Sequence, residues 1–124
     1  MVGNAERASI TYPDLPRDIR EGTTILIDDG LVEMTVRSLT AGEIVCIVNN
    51  DGVISDRKSV NVPDVDLSMP YLSPKDREDI AFGVKNGVDF IAASFTRTAE
   101  DILDVRKLFS ALGRTNVSII AKIE

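Results

Sequence analysis

The sequence contains no histidine, no tryptophan and a single cysteine, Cys46, among its 124 residues. Without histidine, and with only one thiol, the chain cannot build a zinc site from His and Cys ligands or a histidine-dependent catalytic triad. One cysteine also excludes an internal disulfide, and its apolar surroundings in the sequence are typical of a small core residue. Any metal must therefore be held by oxygen ligands, which favours magnesium, manganese or calcium.

Positive charge is also scarce. The chain has 14 Lys and Arg against 20 Asp and Glu, a net charge of −6, and no basic run. This composition argues against a nucleic-acid partner. The sequence has neither a signal-peptide pattern nor an apolar stretch long enough to cross a bilayer, so we expect a soluble, cytoplasmic protein without a membrane partner. The apolar fraction of 44% is sufficient for a hydrophobic core.

Residues 1–68 are typical of β structure. Val32, Met34 and Val36 alternate with polar residues, which is the period of a half-buried strand. Before them, Asp28-Asp29-Gly30 has the composition of a tight turn, so both aspartates are most simply turn formers. Short strands at this spacing favour a small antiparallel barrel or sandwich. The strands are predicted at 8–12, 24–27, 32–37, 43–48 and between 53 and 62.

Residues 69–124 change to alternating helices and strands. Ser73 and Thr98 are predicted helix N-caps, with Asp76 and Asp101 three residues later. The helices lead into apolar strands predicted at 88–95 and 117–124, which indicates βα units and a parallel sheet covered on both faces. A closed βα barrel needs about 250 residues. This half of the chain is therefore expected to be a piece of a larger fold.

The last predicted strand ends with Lys122 and Glu124. Residues two apart in a strand point to the same side, so a cation and a carboxylate would share one face there. Catalytic groups collect at the carboxyl ends of parallel strands. A solvated ion pair accounts for the same two residues, and residue types alone leave both interpretations open.

Seven segments form a recognisable series along the chain: Asp14–Ile19, Ile25–Leu31, Arg57–Pro63, Leu72–Asp76, Phe82–Val84, Gly87–Phe95 and Ala121–Glu124. In this order and spacing they resemble pyruvate kinase over nearly the whole chain. The resemblance implies a multi-domain fragment: a small mainly-β barrel that acts as a lid, followed by an α/β piece of a (β/α)8 TIM-type barrel. Residues 1–68 would form most of the lid without its first strands, and residues 69–124 would form two consecutive barrel units.

The resemblance also implies residue roles. Lys122 corresponds to the lysine that stabilises charge on the phosphoryl group and the enolate oxygen, and Glu124 to a carboxylate ligand of the essential divalent ion. Lys58 corresponds to a lid lysine that meets the nucleotide phosphates; by itself it would be a solvated hairpin lysine. Two further pairs of residues are expected to line the site: Asp28 and Asp29 at the mouth of the lid, and Ser94 and Arg97 after a barrel strand. Phe95 could line the site as well, or it could serve only in packing.

The implied parent enzyme transfers phosphate from phosphoenolpyruvate to ADP, giving pyruvate and ATP in glycolysis. It would require Mg²⁺ or Mn²⁺, and also K⁺, whose ligands have no counterpart in this chain. The parent would be a homotetramer, whereas the fragment alone would be inactive and prone to self-association. Ser59 stands where the family usually has glycine, and Asp64 stands where glycine often follows the proline.

The sequence leaves two alternatives to a pyruvate kinase fragment open. A strand-end lysine in a βα barrel also suits an aldolase-like enzyme, with Lys122 forming a Schiff base. The chain could instead be a non-catalytic β-barrel interaction module, in which Lys122 and Glu124 have no chemical role.

Overall fold

A computed structural model describes residues 3–123 of the protein. These residues divide after Met69 into two compact units. Each unit has a hydrophobic core of its own. In the described part of the chain, no helix is both long enough and apolar enough to cross a membrane.

The first unit contains α1 (Leu15–Asp18), β1 (Thr24–Ile27), β2 (Val32–Leu39), β3 (Ile44–Val48) and β4 (Val60–Asn61). Its strands form a four-stranded antiparallel sheet in the order β3-β2-β1-β4. A short helix, α1, precedes the sheet and begins next to Pro16, whose fixed φ suits a first helical turn.

Alternating side chains of β1 and β2 form the core of the first unit. Ile25 and Ile27 of β1 and Val32 and Val36 of β2 are all buried, as the period-2 pattern predicts. Leu15 of α1, which is only 2% exposed, packs in the same cluster. Burying one such aliphatic side chain contributes about 1.5–3 kcal/mol, so α1 is held mainly by its apolar contact with the sheet.

The antiparallel arrangement is confirmed, but other predictions for the first unit are wrong. Residues 8–12 form no strand, and of the predicted strand between 53 and 62 only Val60–Asn61 is paired. Val53 is 89% exposed and Ile54 is 45% exposed. β-Branched residues favour extended backbone, yet a strand also needs a partner and a buried face. Among residues 3–123 the strands form a single sheet that stays open at β3 and β4, so the predicted small barrel or sandwich is not found.

Asp18 ties the beginning and the end of the first unit together. Its Oδ2 accepts hydrogen bonds from the Tyr12 hydroxyl at 2.6 Å, the Ser68 N–H at 2.9 Å and the Ser68 hydroxyl at 3.2 Å. We call these contacts the Asp18 clasp. The bond to Asp18 raises the pKa of Tyr12, and the bonds from Tyr12 and Ser68 lower the pKa of Asp18.

The second unit alternates helix and strand, as predicted. Its strands pair in parallel, from Phe90 opposite Ser118 to Ala93 opposite Ala121. Both strands are shorter than predicted, because the chain turns after Ala93 and regular pairing ends at Ala121. The elements are α2 (Pro74–Lys85), β5 (Phe90–Ala93), α3 (Ala99–Ala111) and β6 (Ser118–Ala121).

Both helices of the second unit begin with the predicted caps. The Ser73 hydroxyl accepts from the Asp76 N–H at 3.1 Å, and the Asp76 carboxylate accepts from the Ser73 N–H at 2.9 Å. Thr98 and Asp101 form the same reciprocal pair at the start of α3. These bonds satisfy backbone donors that the first helical turn leaves open.

The two helices cover only one face of the parallel strand pair. Ile91 and Ile119 pack against a core that includes Val84, Val105 and Phe109. On the other side Phe90 is 63% exposed and Ile120 is 55% exposed. The prediction that both faces are covered is therefore wrong for the described residues, and an apolar strand surface faces solvent.

Candidate functional site

A left-handed turn follows β1. Asp28, Asp29 and Gly30 have φ values of 54°, 56° and 87° in succession. Aspartate adopts this backbone region more readily than most residues because its short side chain can hydrogen-bond locally. The turn directs two neighbouring carboxylates towards the segment that leads into β4.

The structure brings three of the predicted site residues together at this turn. Lys58 Nζ lies 2.9 Å from Asp28 Oδ2, and the two side chains are 35% and 22% exposed. Beside them the Ser59 hydroxyl donates to Asp29 Oδ1 at 2.9 Å. A partly exposed ion pair contributes at most about 1 kcal/mol to stability. Asp28, Asp29 and Lys58 were predicted from separate segments, and only the pairing of β1 with β4 makes them neighbours.

Ser94 and Arg97 lie in the loop that follows β5. The Tyr71 hydroxyl donates to the Ser94 carbonyl oxygen at 2.9 Å. The Arg97 guanidinium lies 5.9 Å from the centre of the Tyr71 ring, within the range of a cation–π contact. Phe95, between them, has a φ of 53° and is 44% exposed, so it turns the chain rather than filling the core.

Asp101 organises this loop from the first turn of α3. Asp101 is buried, with 6% of the residue exposed. Its carboxylate accepts hydrogen bonds from the N–H groups of Arg97 at 2.9 Å and Thr98 at 3.0 Å. The Arg97 guanidinium is 3.5 Å away. Burial acts to raise the pKa of Asp101, but these donors outweigh it and the pKa lies below its ordinary value. The sequence predicted Asp101 only as a capping acid; its spacing of four from Arg97 was the available signal for the second role.

Lys122 directly follows β6 and is held by backbone bonds to the β5 side. Its N–H donates to the Ala93 carbonyl at 2.9 Å, and its carbonyl accepts from the Thr96 N–H at 3.1 Å. The residue is exposed. The carboxyl ends of the two parallel strands thus bring Ser94, Arg97 and Lys122 to one edge of the second unit.

Glu124, the predicted metal ligand, lies outside the described residues. The shared face of Lys122 and Glu124 therefore stays a prediction. Residues 3–123 contain no cluster of three or more His, Cys, Asp or Glu side chains arranged to hold a metal. Magnesium is often bound by only one or two carboxylates together with substrate phosphates, and Asp28 and Asp29 have the oxygen ligands that such an ion prefers.

Comparison with known proteins covers the whole chain. The family model described as "Pyruvate kinase, barrel domain" matches residues 1–124. The pyruvate kinase of Staphylococcus saprophyticus is 49% identical over 124 residues, covering 98% of this chain and 21% of the relative. That of Geobacillus stearothermophilus is 48% identical, covering 100% and 22%, and that of Clostridium acetobutylicum is 44% identical, covering 100% and 26%.

The chain spans about a fifth to a quarter of the length of these relatives. The match is nevertheless continuous through both units, including the turn after β1 and the strand ends of β5 and β6. The chain therefore belongs to the pyruvate kinase family, within the part that the barrel-domain model describes.

Proposed function

We propose that, in its complete protein, this segment serves phosphoryl transfer between phosphoenolpyruvate and ADP. The first unit acts as a lid, and the second supplies two consecutive βα units of a (β/α)8 barrel. The observation that carries the proposal is the position of Lys122, an exposed cation at the carboxyl edge of a parallel strand pair. Active sites of βα barrels are built at that edge.

Lys122 is the group expected to act on the reacting atoms. Phosphoryl transfer depends mostly on positioning and on stabilising the charge that develops in the transition state. The ammonium group of Lys122 would neutralise charge on the phosphoryl and enolate oxygens. The main-chain bonds to Ala93 and Thr96 support this role, because they fix where the lysine leaves the strand.

The other site residues have positioning and binding roles in this proposal. Ser94 and Arg97 line the same edge, with Arg97 oriented by Tyr71 and Asp101. Glu124 holds the divalent ion, Mg²⁺ or Mn²⁺, which supplies further charge neutralisation when bound. The requirement for K⁺ and the tetrameric assembly rest on family membership alone.

The first unit is expected to act on the nucleotide. Lys58 contacts the phosphates of ADP or ATP, and the turn with Asp28 and Asp29 lies at the mouth of the lid. Closure of such a lid excludes water, which otherwise competes for the phosphoryl group. The ion pair of Lys58 with Asp28 supports this assignment, since it places a partly exposed ammonium group at one point of the surface.

The 124-residue chain by itself is expected to be inactive. Partial sites lose most of the advantage of positioning, and Asp28, Asp29 and Glu124 alone do not supply a substrate clamp. A coupled assay for pyruvate formation, with phosphoenolpyruvate, ADP and Mg²⁺, checks this. Turnover by the purified chain would contradict it.

Replacement of Lys122 by Met in the complete protein tests the proposal itself. We expect kcat to fall about 10²–10³-fold or more, with KM for both substrates changed only a few-fold, because the lost interaction forms mainly in the transition state. Lys107→Met is the matched control, since Lys107 is an exposed lysine of α3 that pairs with Asp104. Normal turnover of the Lys122→Met protein would refute the proposed role.

The aldolase-like alternative predicts different chemistry at the same residue. A Schiff base between Lys122 and pyruvate would be trapped by borohydride as a secondary amine. Covalent labelling of Lys122 under these conditions would replace the phosphotransfer proposal with the aldolase-like one. We expect no label.

A further inference from the structure

Ser59 connects both aspartates of the turn after β1 to the segment that carries Lys58. Its hydroxyl donates to Asp29 Oδ1 at 2.9 Å and accepts from the Asp29 N–H at 3.4 Å. Its backbone carbonyl accepts from the Asp28 N–H at 3.0 Å. One residue therefore fixes the turn through a side chain and through the main chain.

The same contacts determine where the Asp28 carboxylate lies. Residues 28 and 29 stand opposite residues 58 and 59, so bonds between Asp29 and Ser59 hold Asp28 beside Lys58. The carboxylate occupies one of the three donors of the ammonium group and cancels much of its charge. Asp29 adds a second negative charge next to the pair, which further disfavours an approaching anion.

We propose that Ser59 is a positioning residue that keeps the Asp28 carboxylate on Lys58, so that a nucleotide phosphate must displace Asp28 in order to bind. The inference rests on the proposed function, which assigns Lys58 to the phosphates of a nucleoside diphosphate. Alanine or glycine at this position would have no hydroxyl to make the side-chain bond. Ser59 therefore weakens anion binding at Lys58 relative to a chain without this hydroxyl.

Binding of inorganic tripolyphosphate to the 124-residue chain tests the inference without any activity assay. The shifts of the Lys58 resonances in NMR titrations report binding at this lysine. We expect Ser59→Ala to tighten binding about three- to tenfold, because the loss of one hydrogen bond at a partly exposed charged site changes an affinity by about this factor. Ser59→Thr keeps the hydroxyl, and its affinity should stay within about twofold of the original chain.

A double-mutant cycle with Asp28→Asn identifies the mechanism. Asp28→Asn should tighten tripolyphosphate binding at least as much as Ser59→Ala. In the Asp28→Asn background, Ser59→Ala should then add nothing, because the competing carboxylate is already gone. Equal tightening by Ser59→Ala in both backgrounds would overturn the inference, and so would unchanged or weaker binding by the single Ser59→Ala chain.

The Lys58→Met chain separates this inference from the proposed function. If tripolyphosphate binds equally well without the ammonium group, the assignment of Lys58 to the nucleotide is wrong, and the role of Ser59 is refuted together with it. If binding requires Lys58 but does not respond to Ser59→Ala, only the role of Ser59 is refuted. Dispersed amide spectra of every variant serve as the folding control.

Discussion

The two units differ in how far along the chain their strands must reach to find a partner. In the first unit β1, β2 and β3 are consecutive and pair as neighbours through short turns. In the second unit β5 and β6 are separated by the whole of α3, and their outward face carries the exposed side chains of Phe90 and Ile120. Local pairing forms readily, whereas parallel pairing across a helix depends on that helix packing at the same time. The second unit should therefore be the less stable of the two.

Truncation of the second core should give the largest effect. Phe109 is 2% exposed, and Phe109→Ala should lower the free energy of unfolding of the second unit by about 3–5 kcal/mol. Hydrogen exchange should show lost protection in β5 and β6, while amides of β1 and β2 stay protected. Phe82→Ala is the control, because Phe82 is 70% exposed on α2. Equal loss in both units would show that they unfold as one cooperative body.

Removing the N-terminal caps of α3 and α2 should lower stability by smaller amounts than Phe109→Ala, and by different amounts from each other. Asp101→Ala should cost about 2 kcal/mol, since it removes the cap of α3 and leaves the N–H groups of Arg97 and Thr98 without their carboxylate. Asp76→Ala, in the exposed capping box of α2, should cost about 1 kcal/mol. Chemical denaturation measures both. Equal costs would show that the bonds to the loop after β5 add nothing to the cap.

Self-association should depend on the uncovered face of β5 and β6. Exposed apolar strand surface with open edges favours contacts between molecules. Phe90→Ser should weaken association about tenfold in sedimentation experiments, a change of about 1.4 kcal/mol. Phe82→Ser removes a ring of α2 that is at least as exposed as Phe90, and it should have little effect. A monomeric chain with strong protection throughout both strands would show that the second unit packs without a partner.

The Asp18 clasp should give a pH dependence confined to the first unit. The pKa of Asp18 is lowered in the folded state, so its contribution is present above the unfolded value of about 4 and is lost as pH falls through the folded pKa. The pKa of Tyr12 is raised, so its contribution is present below about 10 and is lost as pH rises through the folded pKa.

Thermal unfolding of the original chain and of Tyr12→Phe between pH 2 and about 11 measures this effect. The difference in Tm should be small, largest between about pH 4 and about 10, and should shrink at both ends. A difference that persists unchanged at low pH would show that Tyr12 stabilises the unit by packing and not through the clasp.

Sequence patterns predicted the elements whose signals are local. The caps at Ser73 and Thr98 and the period-2 burial of Val32 and Val36 depend only on residues a few positions away. The predicted strands at 8–12 and 53–62 had β-branched residues, but whether a partner strand is available is a property of the whole fold. The helix at Leu15–Asp18 was not predicted, since a single turn with one buried leucine gives almost no periodic signal.

The candidate site was predictable in part for the same reason. The strand-end pattern had already singled out Lys122, and the resemblance to pyruvate kinase, carried by residue motifs, supplied Lys58, Ser94 and Arg97. The contacts that orient these residues were not predictable, because Ser59 meets Asp29 across a gap of 30 positions and Tyr71 meets Ser94 across 23. Side-chain contacts at such separations are determined by strand pairing and loop geometry.

Two hydrogen bonds at Lys122 are made by its peptide groups: the N–H donates to the Ala93 carbonyl and the carbonyl accepts from the Thr96 N–H. Every amino acid except proline supplies the same N–H group, so these two hydrogen bonds between the strand ends do not depend on which other side chain stands at position 122. The side chain at position 122 can therefore change at no cost in these two backbone hydrogen bonds, whereas proline would remove the N–H that bonds to Ala93.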